Sequence, residues 1–381
     1  MARDVAGRLQ RLRTRRSGLD RLTRIAAADS AEMLRKSYVQ EGYQRRAANQ
    51  PNTRYALGAM QEVDGDYTRI SIETAERVGR QLHAGLGAAG IPVEFRLQGS
   101  VPLNTHIRGV SDVDLLNLDQ SFFVYATAGR RSQAGLYTSP TSRTSVGVLS
   151  SLRNETARVL RNAFPAATVD TSGGKAIQVL GGSLARPVDV VPSYWFDTVD
   201  YQASGHEHDR AVTILDAKVP KTIDNWPFLH IKRVHDHDSL VVGGLKKAIR
   251  LCKNVKSDAE DEGTTIDFPS FDIAATMYHA NPEALQAGAV YELAILAETQ
   301  RHLDWLYHHQ SEALKLRVPD GSRAIFDTAA KITGLLHLSV EVDDLIKEVA
   351  KEQNYLLGYG GGPTLAQARQ AVAQVFIPAA A

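Results

Sequence analysis

Two aspartates one residue apart, Asp112-Val113-Asp114, constrain this chain more than any other feature; Gly99-Ser100 precede them and Leu115-Leu116 follow. Successive side chains on a β-strand point to opposite faces. Asp112 and Asp114 are therefore expected to emerge together while Val113 and Leu115 enter a core. Neighbouring carboxylates resist double ionisation unless a cation lies between them. A hard divalent ion such as Mg²⁺ suits them, and it commonly brings phosphate oxygens with it. The Gly99-Ser100 pair is expected to open a helix whose free N–H groups hold those phosphates. Together these features read as a nucleotidyltransferase active site.

The Asp-x-Asp spacing occurs twice more, at Asp64/Asp66 and Asp236/Asp238, without this context. Gly65 sits at the centre of the first copy and marks a turn. The second lies in a polar run without flanking β-branched residues. Asp189 supplies what those copies lack. It stands in Pro187-Val188-Asp189-Val190-Val191-Pro192, a β-rich run expected to pair beside the first strand. A two-metal site needs such a third ligand, because its ions clamp both the attacking and the leaving oxygen.

At 381 residues the chain exceeds one ordinary hydrophobic core, so two domains are expected. Residues 1–200 read as a catalytic core with a basic N-terminal helix, 201–357 as a helical domain, and 358–381 as a flexible tail. A formal net charge of +1 excludes a global attraction to nucleic acid. Cys252 is the single cysteine, which excludes a disulfide framework and a cysteine-based zinc site, and fits a reducing cytoplasm. No apolar run reaches membrane-spanning length. The arginine-rich start has no apolar core behind it, so a secretory signal is not expected.

Along residues 1 to about 50, Leu9, Leu12, Leu19, Leu22 and Ile25 recur near helical spacing among arginines that include Arg3, Arg8, Arg11, Arg13, Arg15, Arg16, Arg21 and Arg24. A docked helix with a solvated charged face is expected there in preference to a nucleic-acid arm. Residues 51–67 read as a loop, 70–85 as a helix, 93–97 and 113–118 as strands, 122–141 as an insertion, and 142–163 as a helix. Ser172-Gly173-Gly174 and Gly181-Gly182-Ser183 separate three short β runs and mark hairpins. Helices on one side of a small mixed sheet make an α+β core. The segment 206–225 is polar and turn-rich, and helical patterning dominates from Ser239 onward. There Leu245, Ala248, Ile249, Cys252 and Val255 form an apolar stripe beside Lys246, Arg250 and Lys253.

Gly99-Ser100, Asp112-Val113-Asp114, Lys175-Ala176-Ile177, Asp189-Val190-Val191-Pro192 and the basic helix around Lys253 resemble the CD-NTases of bacterial anti-phage signalling. These are relatives of cyclic GMP–AMP synthase and oligoadenylate synthetase, within the polymerase-β-like nucleotidyltransferase superfamily. Gln98 and Ser111 add to the likeness, which covers roughly residues 50–340. The resemblance implies a nucleotidyltransferase core fused to an oligoadenylate-synthetase-like helical domain, with nucleotides bound between them. It implies that Asp112, Asp114 and Asp189 hold two Mg²⁺ ions, for which Mn²⁺ can substitute, and that Gly99 and Ser100 hold the donor triphosphate. Lys253, or Lys246 in a shifted register, is then expected at the β/γ-phosphates. Ser270-Phe271 matches a base-stacking position where tyrosine is usual. A core aromatic starting a helix is the equal alternative. The implied substrates are NTPs (ATP, with GTP or UTP), and an effector would respond to the cyclic product. A single cysteine cannot supply the zinc insertion of the metazoan DNA sensor.

Histidine runs at His206-Glu207-His208-Asp209 and His235-Asp236-His237-Asp238 carry ligand types at close spacing. Neither matches a known zinc geometry, and both are expected in loops. Two other functions stay open at this point: nucleotidyl transfer to RNA, protein or a small molecule, and a catalytically silent nucleotide-binding scaffold. In some systems of this kind a ubiquitin-transfer-like partner handles the C-terminus, and the Gly360–Gly362 joint would leave Ala381 reachable for it.

Overall fold

In the computed structural model of this chain, residues 4–17, 41–107 and 112–379 are described. Ser111, Arg3, and the leucines and arginines between 18 and 40 fall outside them, as does Ala381. Helices of eight residues or more are α1 (Val5–Ser17), α2 (Pro51–Met60), α3 (Gly65–Ala88), α4 (Ser145–Ala163), α5 (Pro227–Leu240), α6 (Gly244–Asp261), α7 (Ser270–Met277), α8 (Leu293–His308), α9 (Ala329–Gln353) and α10 (Leu365–Val372). The strands are β1 (Val93–Gln98), β2 (Val113–Tyr125), β3 (Ala167–Asp170), β4 (Ile177–Gly181), β5 (Val188–Asp197), β6 (Ala211–Asp216) and β7 (Lys221–Asn225).

All seven strands join one mixed sheet: five in the order β1-β2-β5-β4-β3, with β6 paired to β5 and β7 to β6 off this path. Only β2 and β5 run parallel; the remaining pairs, including both expected hairpin partners around β4, are antiparallel. Strand β5 is long enough to take two partners on one edge, β4 along Val188–Val190 and β6 along Ser193–Phe196. The sheet therefore continues to Asn225, beyond the boundary expected at residue 200. Strands β6 and β7 escape a pattern search because β7 is a largely exposed, polar edge strand.

Strand alternation sorts the two faces. Val113, Leu115, Ile177, Val179, Val188 and Val190 are buried against Val78, Leu82 and Leu86 of α3 and Leu152 and Leu160 of α4. Leu116, Leu118, Val191, Trp195, Val212 and Ile214 line the opposite face, on which Phe228 of α5 packs. At one end of that second face the aspartates emerge.

A second core surrounds α6, whose Leu245, Ala248, Ile249, Leu251, Cys252 and Val255 are all buried. It also takes in Leu12 of α1, Tyr43, Tyr55 to Leu57, Ala59 and Met60 of α2, and Leu103, so the N-terminal helices pack with the helical half. Residues 51–60 form a helix, where a loop was expected, because Pro51 at its first position pre-sets φ and costs no hydrogen bond. Asp64 and Asp66 are capping residues: the Asp64 carboxylate accepts the Asp66 N–H at the start of α3.

The basic face of α1 is largely packed against the protein, with Arg13 exposed. Arg8 pairs with Glu262 and Glu341, Arg15 with Asp258, and Arg16 with Glu41, and all three arginines are buried. The distal residues are held as well: Ala368 and Val372 of α10 are buried in the same core, and Arg46 donates to the carbonyls of Ile377 and Pro378. The segment expected to be a flexible tail is thus a docked helix beyond the exposed Gly360–Gly362 turn.

Asp258, fully buried, accepts from Arg15 at 2.9 Å and from the Tyr55 hydroxyl at 2.5 Å. Asp258→Ala leaves the Tyr55 hydroxyl without this acceptor and removes the buried charge opposite Arg15, and is expected to lower the unfolding free energy by about 3–5 kcal/mol in urea titrations. Glu76→Ala, at the exposed pair with Arg80, should change it by less than about 0.5 kcal/mol. Equal losses in the two variants would contradict this role for α1.

Candidate active site

The parallel pairing of β2 and β5 places Asp114 directly beside Asp189. The flanking antiparallel pairs add Gln98 beside Asp114 and Gln178 beside Asp189. Four neighbouring strands thus present Gln98, Asp114, Asp189 and Gln178 as one row across the sheet. Asp112, two residues before Asp114, joins this group: the Gln178 side-chain amide donates to Asp112 at 3.1 Å and to Asp189 at 3.3 Å. Sequence reasoning missed Gln178, since an amide at an alternating position means something only once the register is known.

Gly99 closes over this row. Its φ is +77°, and a Cβ there would sit 2.1 Å from Oδ2 of Asp114, so only glycine lets the backbone pass. The Gly-Ser pair does not open a helix. Residues 99–104 form a turn in which Thr105 N–H donates to the Ser100 carbonyl and Asn104 takes a φ of +55°. A non-glycine residue in the left-handed region needs outside support. Arg250 of α6 supplies it by donating to the Asn104 carbonyl at 2.7 Å, while the Asn104 amide donates to Glu62.

Lys253 is one turn further along α6. It is buried, donates to the Thr105 carbonyl at 2.8 Å, and acts electrostatically on Asp114. Lys246 lies elsewhere, its Nζ 3.6 Å from Asp238 and 3.3 Å from His235. Ser270 and Phe271 start α7 at the surface. The Phe271 ring stacks on His230 at 4.4 Å and Arg323 lies over it at 5.3 Å, so it is an exposed aromatic and not a core one. His235 to Asp238 are helical, within α5, and not in a loop. Asp236 pairs with Lys232, and both carboxylate oxygens of Glu207 accept from one edge of the Arg96 guanidinium.

Burial is the largest influence on Asp114, followed by the charges of Asp189 and Asp112. Together they push its carboxyl up to about 7 against the opposing pull of Lys253. Asp189 is raised for the same reasons, burial first and then Asp112, with Gln178 opposing. Burial lowers Lys253 to about 8, which Asp114 partly offsets. Acids that the fold holds against their preferred ionisation are a site awaiting positive charge.

Three carboxylates are hard oxygen donors suited to Mg²⁺, and the Gln178 side-chain N–H group stands between two of them. Among the described residues no three acids, histidines or cysteines are already drawn in around a metal-sized space. The carboxylates would have to close around the ion.

Because the folded protein raises Asp114 from 3.8 to about 7, its neutral form is the favoured one. That stability is present below pH 4 and is lost as pH rises through 7. Asp114→Asn should therefore melt near the wild-type temperature at pH 4 in EDTA, and several degrees above it at pH 8. An unchanged difference across this range would contradict the electrostatic description.

No family profile matches the chain. It is 41% identical over 358 residues to a cyclic dinucleotide synthase, CdnE, of Yersinia aleksiciae, covering 91% of this chain and 92% of the relative. A c-di-GMP synthase of Lachnospiraceae bacterium (strain RUG226) is 31% identical over 288 residues, covering 70% and 80%. Among solved structures, a STING-associated CdnE c-di-GMP synthase from Flavobacteriaceae sp. superposes with a TM-score of 0.73 at 22% identity, covering 93% of this chain and all of that one. A CdnE c-UMP-AMP synthase from Rhodothermus marinus gives 0.55 at 19% identity, covering 78% and 97%. These two show the shared fold. With a relative at 41% identity along nine-tenths of both chains, the protein belongs to the CD-NTase family of nucleotidyltransferases, the cyclic dinucleotide synthases.

Proposed function

We propose that this chain joins two NTPs into a cyclic dinucleotide second messenger and releases pyrophosphate at each of two steps. The observation that carries the reading is the row of acids: Asp114 and Asp189 in register, Asp112 tied to Asp189 through Gln178, and the Gly99 backbone pressed against Asp114. In each step a ribose hydroxyl oxygen of one nucleotide bonds to the α-phosphorus of another. The α–β anhydride bond breaks, and pyrophosphate leaves with the electron pair. The second attack, within the linear intermediate, closes the ring.

Asp112 and Asp114 would hold both divalent ions, Mg²⁺ or Mn²⁺, and Asp189 would complete the one beside the attacking hydroxyl. Ions bound there lower the pKa of that hydroxyl and neutralise charge on the transferring phosphoryl group. The residues do the positioning. The Gly99–Asn104 turn offers Ser100 and its backbone N–H groups to the donor triphosphate. Lys253 fixes that turn through Thr105 and carries a positive charge beside Asp114, within the field of the β/γ-phosphates. Ser270 and Phe271 stand as candidates for base contact, and a base would have to share the Phe271 ring with His230. Lys246, tied to Asp238, is the weaker candidate of the two lysines for phosphate contact.

The relatives' activities favour guanine among the bases, so GTP is the first substrate to test, then ATP and UTP. The reaction belongs in the cytoplasm of a bacterium defending itself against phage, where the product would switch on a separate effector. No described helix is long and apolar enough to cross a membrane. The conjugation idea for the C-terminus concerns Ala381, which lies outside the described residues; truncation after Val375 tests it by loss of a partner-dependent conjugate.

Purified protein with all four NTPs and Mg²⁺ is expected to make a nuclease-resistant cyclic dinucleotide identifiable by mass, with no other acceptor present. Asp112→Ala/Asp114→Ala should fold normally by circular dichroism and lose at least about 10³-fold in turnover. Undiminished product from that variant would refute the assignment, and transfer only to an added RNA, protein or small molecule would replace it.

A further inference from the structure

We propose that Gln178 is a positioning residue for the metal site: its amide occupies the place between Asp112 and Asp189 that a cation takes, and keeps those carboxylates converged until one arrives. This rests on reading Asp112, Asp114 and Asp189 as the metal ligands. Two carboxylates on separate strands, one of them held beside a third, repel one another across the site. A single NH₂ group donating to both at 3.1 and 3.3 Å offsets that repulsion with partial positive charge. Both bonds are long, so an incoming divalent ion displaces the amide at small cost.

The strand that carries Gln178 is anchored for this purpose. Arg153 of α4 is buried and directs its guanidinium to the carbonyls of Thr171, Gly173, Lys175 and Ala176. Four carbonyls with no carboxylate among them bind the β3–β4 hairpin as a unit, which sets where Gln178 falls against Asp189. The side chain is half-buried and faces acids, where an apolar residue would serve packing equally well. Its donors are therefore the feature to explain.

The test compares Mn²⁺ binding, followed by electron paramagnetic resonance without nucleotide, in the wild type, Gln178→Leu and Gln178→Lys. Asp112→Ala/Asp114→Ala serves as the control. Loss of the bridge in Gln178→Leu should weaken Mn²⁺ binding about 10-fold, with activity recovering at raised Mg²⁺. A fixed ammonium in Gln178→Lys should abolish Mn²⁺ binding while raising the melting temperature in EDTA, because it satisfies the acids permanently. Mn²⁺ affinities within twofold of wild type in both variants would overturn the proposal. If wild-type Mn²⁺ binding survives in the Asp112→Ala/Asp114→Ala control, the metal-ligand reading fails instead.

Discussion

The in-register parallel pairing of β2 with β5 is the constraint on which the site depends. Asp114 and Asp189 are 75 residues apart in the chain and become neighbours only because Val113 stands beside Val188. A slip of one residue would turn Asp189 into the core and Val188 or Val190 out toward the cleft. What prevents the slip is hydrophobic: Val113, Leu115, Val188 and Val190 must all be buried against α3 and α4 for the acids to stand clear. The same alternation that stabilises the sheet therefore concentrates negative charge at one end of it. The chain tolerates that charge through burial-raised acids, one amide and one lysine.

The helical half is bound to this arrangement through α6. One face of α6 belongs to the second core. Another sends Arg250 and Lys253 to the carbonyls of Asn104 and Thr105, at the end of the turn that covers Asp114. Further along, its Asp258, with Glu262 just beyond its end, anchors the arginines of α1. A single helix thus joins the turn over Asp114 to α1. Arg250 and Lys253 hold this turn through its backbone carbonyls, and burial there lowers the proton affinity of both side chains.

The acids were legible in the sequence because alternation needs only the local pattern: Val113 and Leu115 inside, Asp112 and Asp114 outside, with Asp189 in a second β-rich run. What depended on distant partners was not legible. The arginines of α1 read as a solvated face, since the acids that Arg8, Arg11 and Arg15 meet, Asp258, Glu262 and Glu341, lie far along the chain. Strand β7 read as loop because Lys221-Thr222-Ile223-Asp224-Asn225 is an edge strand with little to bury. Gly99-Ser100 read as a helix start, but positive φ and the closeness of Asp114 make it a turn. Gln178 had no signal at all, as its meaning comes from facing Asp189 across a hairpin.

The most direct measurement is anomalous diffraction from crystals grown with Mn²⁺ and a non-hydrolysable NTP. The account expects manganese peaks within coordination distance of Asp112, Asp114 and Asp189, with the triphosphate under the Gly99–Asn104 turn and the Gln178 amide turned away. Manganese bound away from these three carboxylates, or a nucleotide seated with its phosphates remote from them, would contradict it.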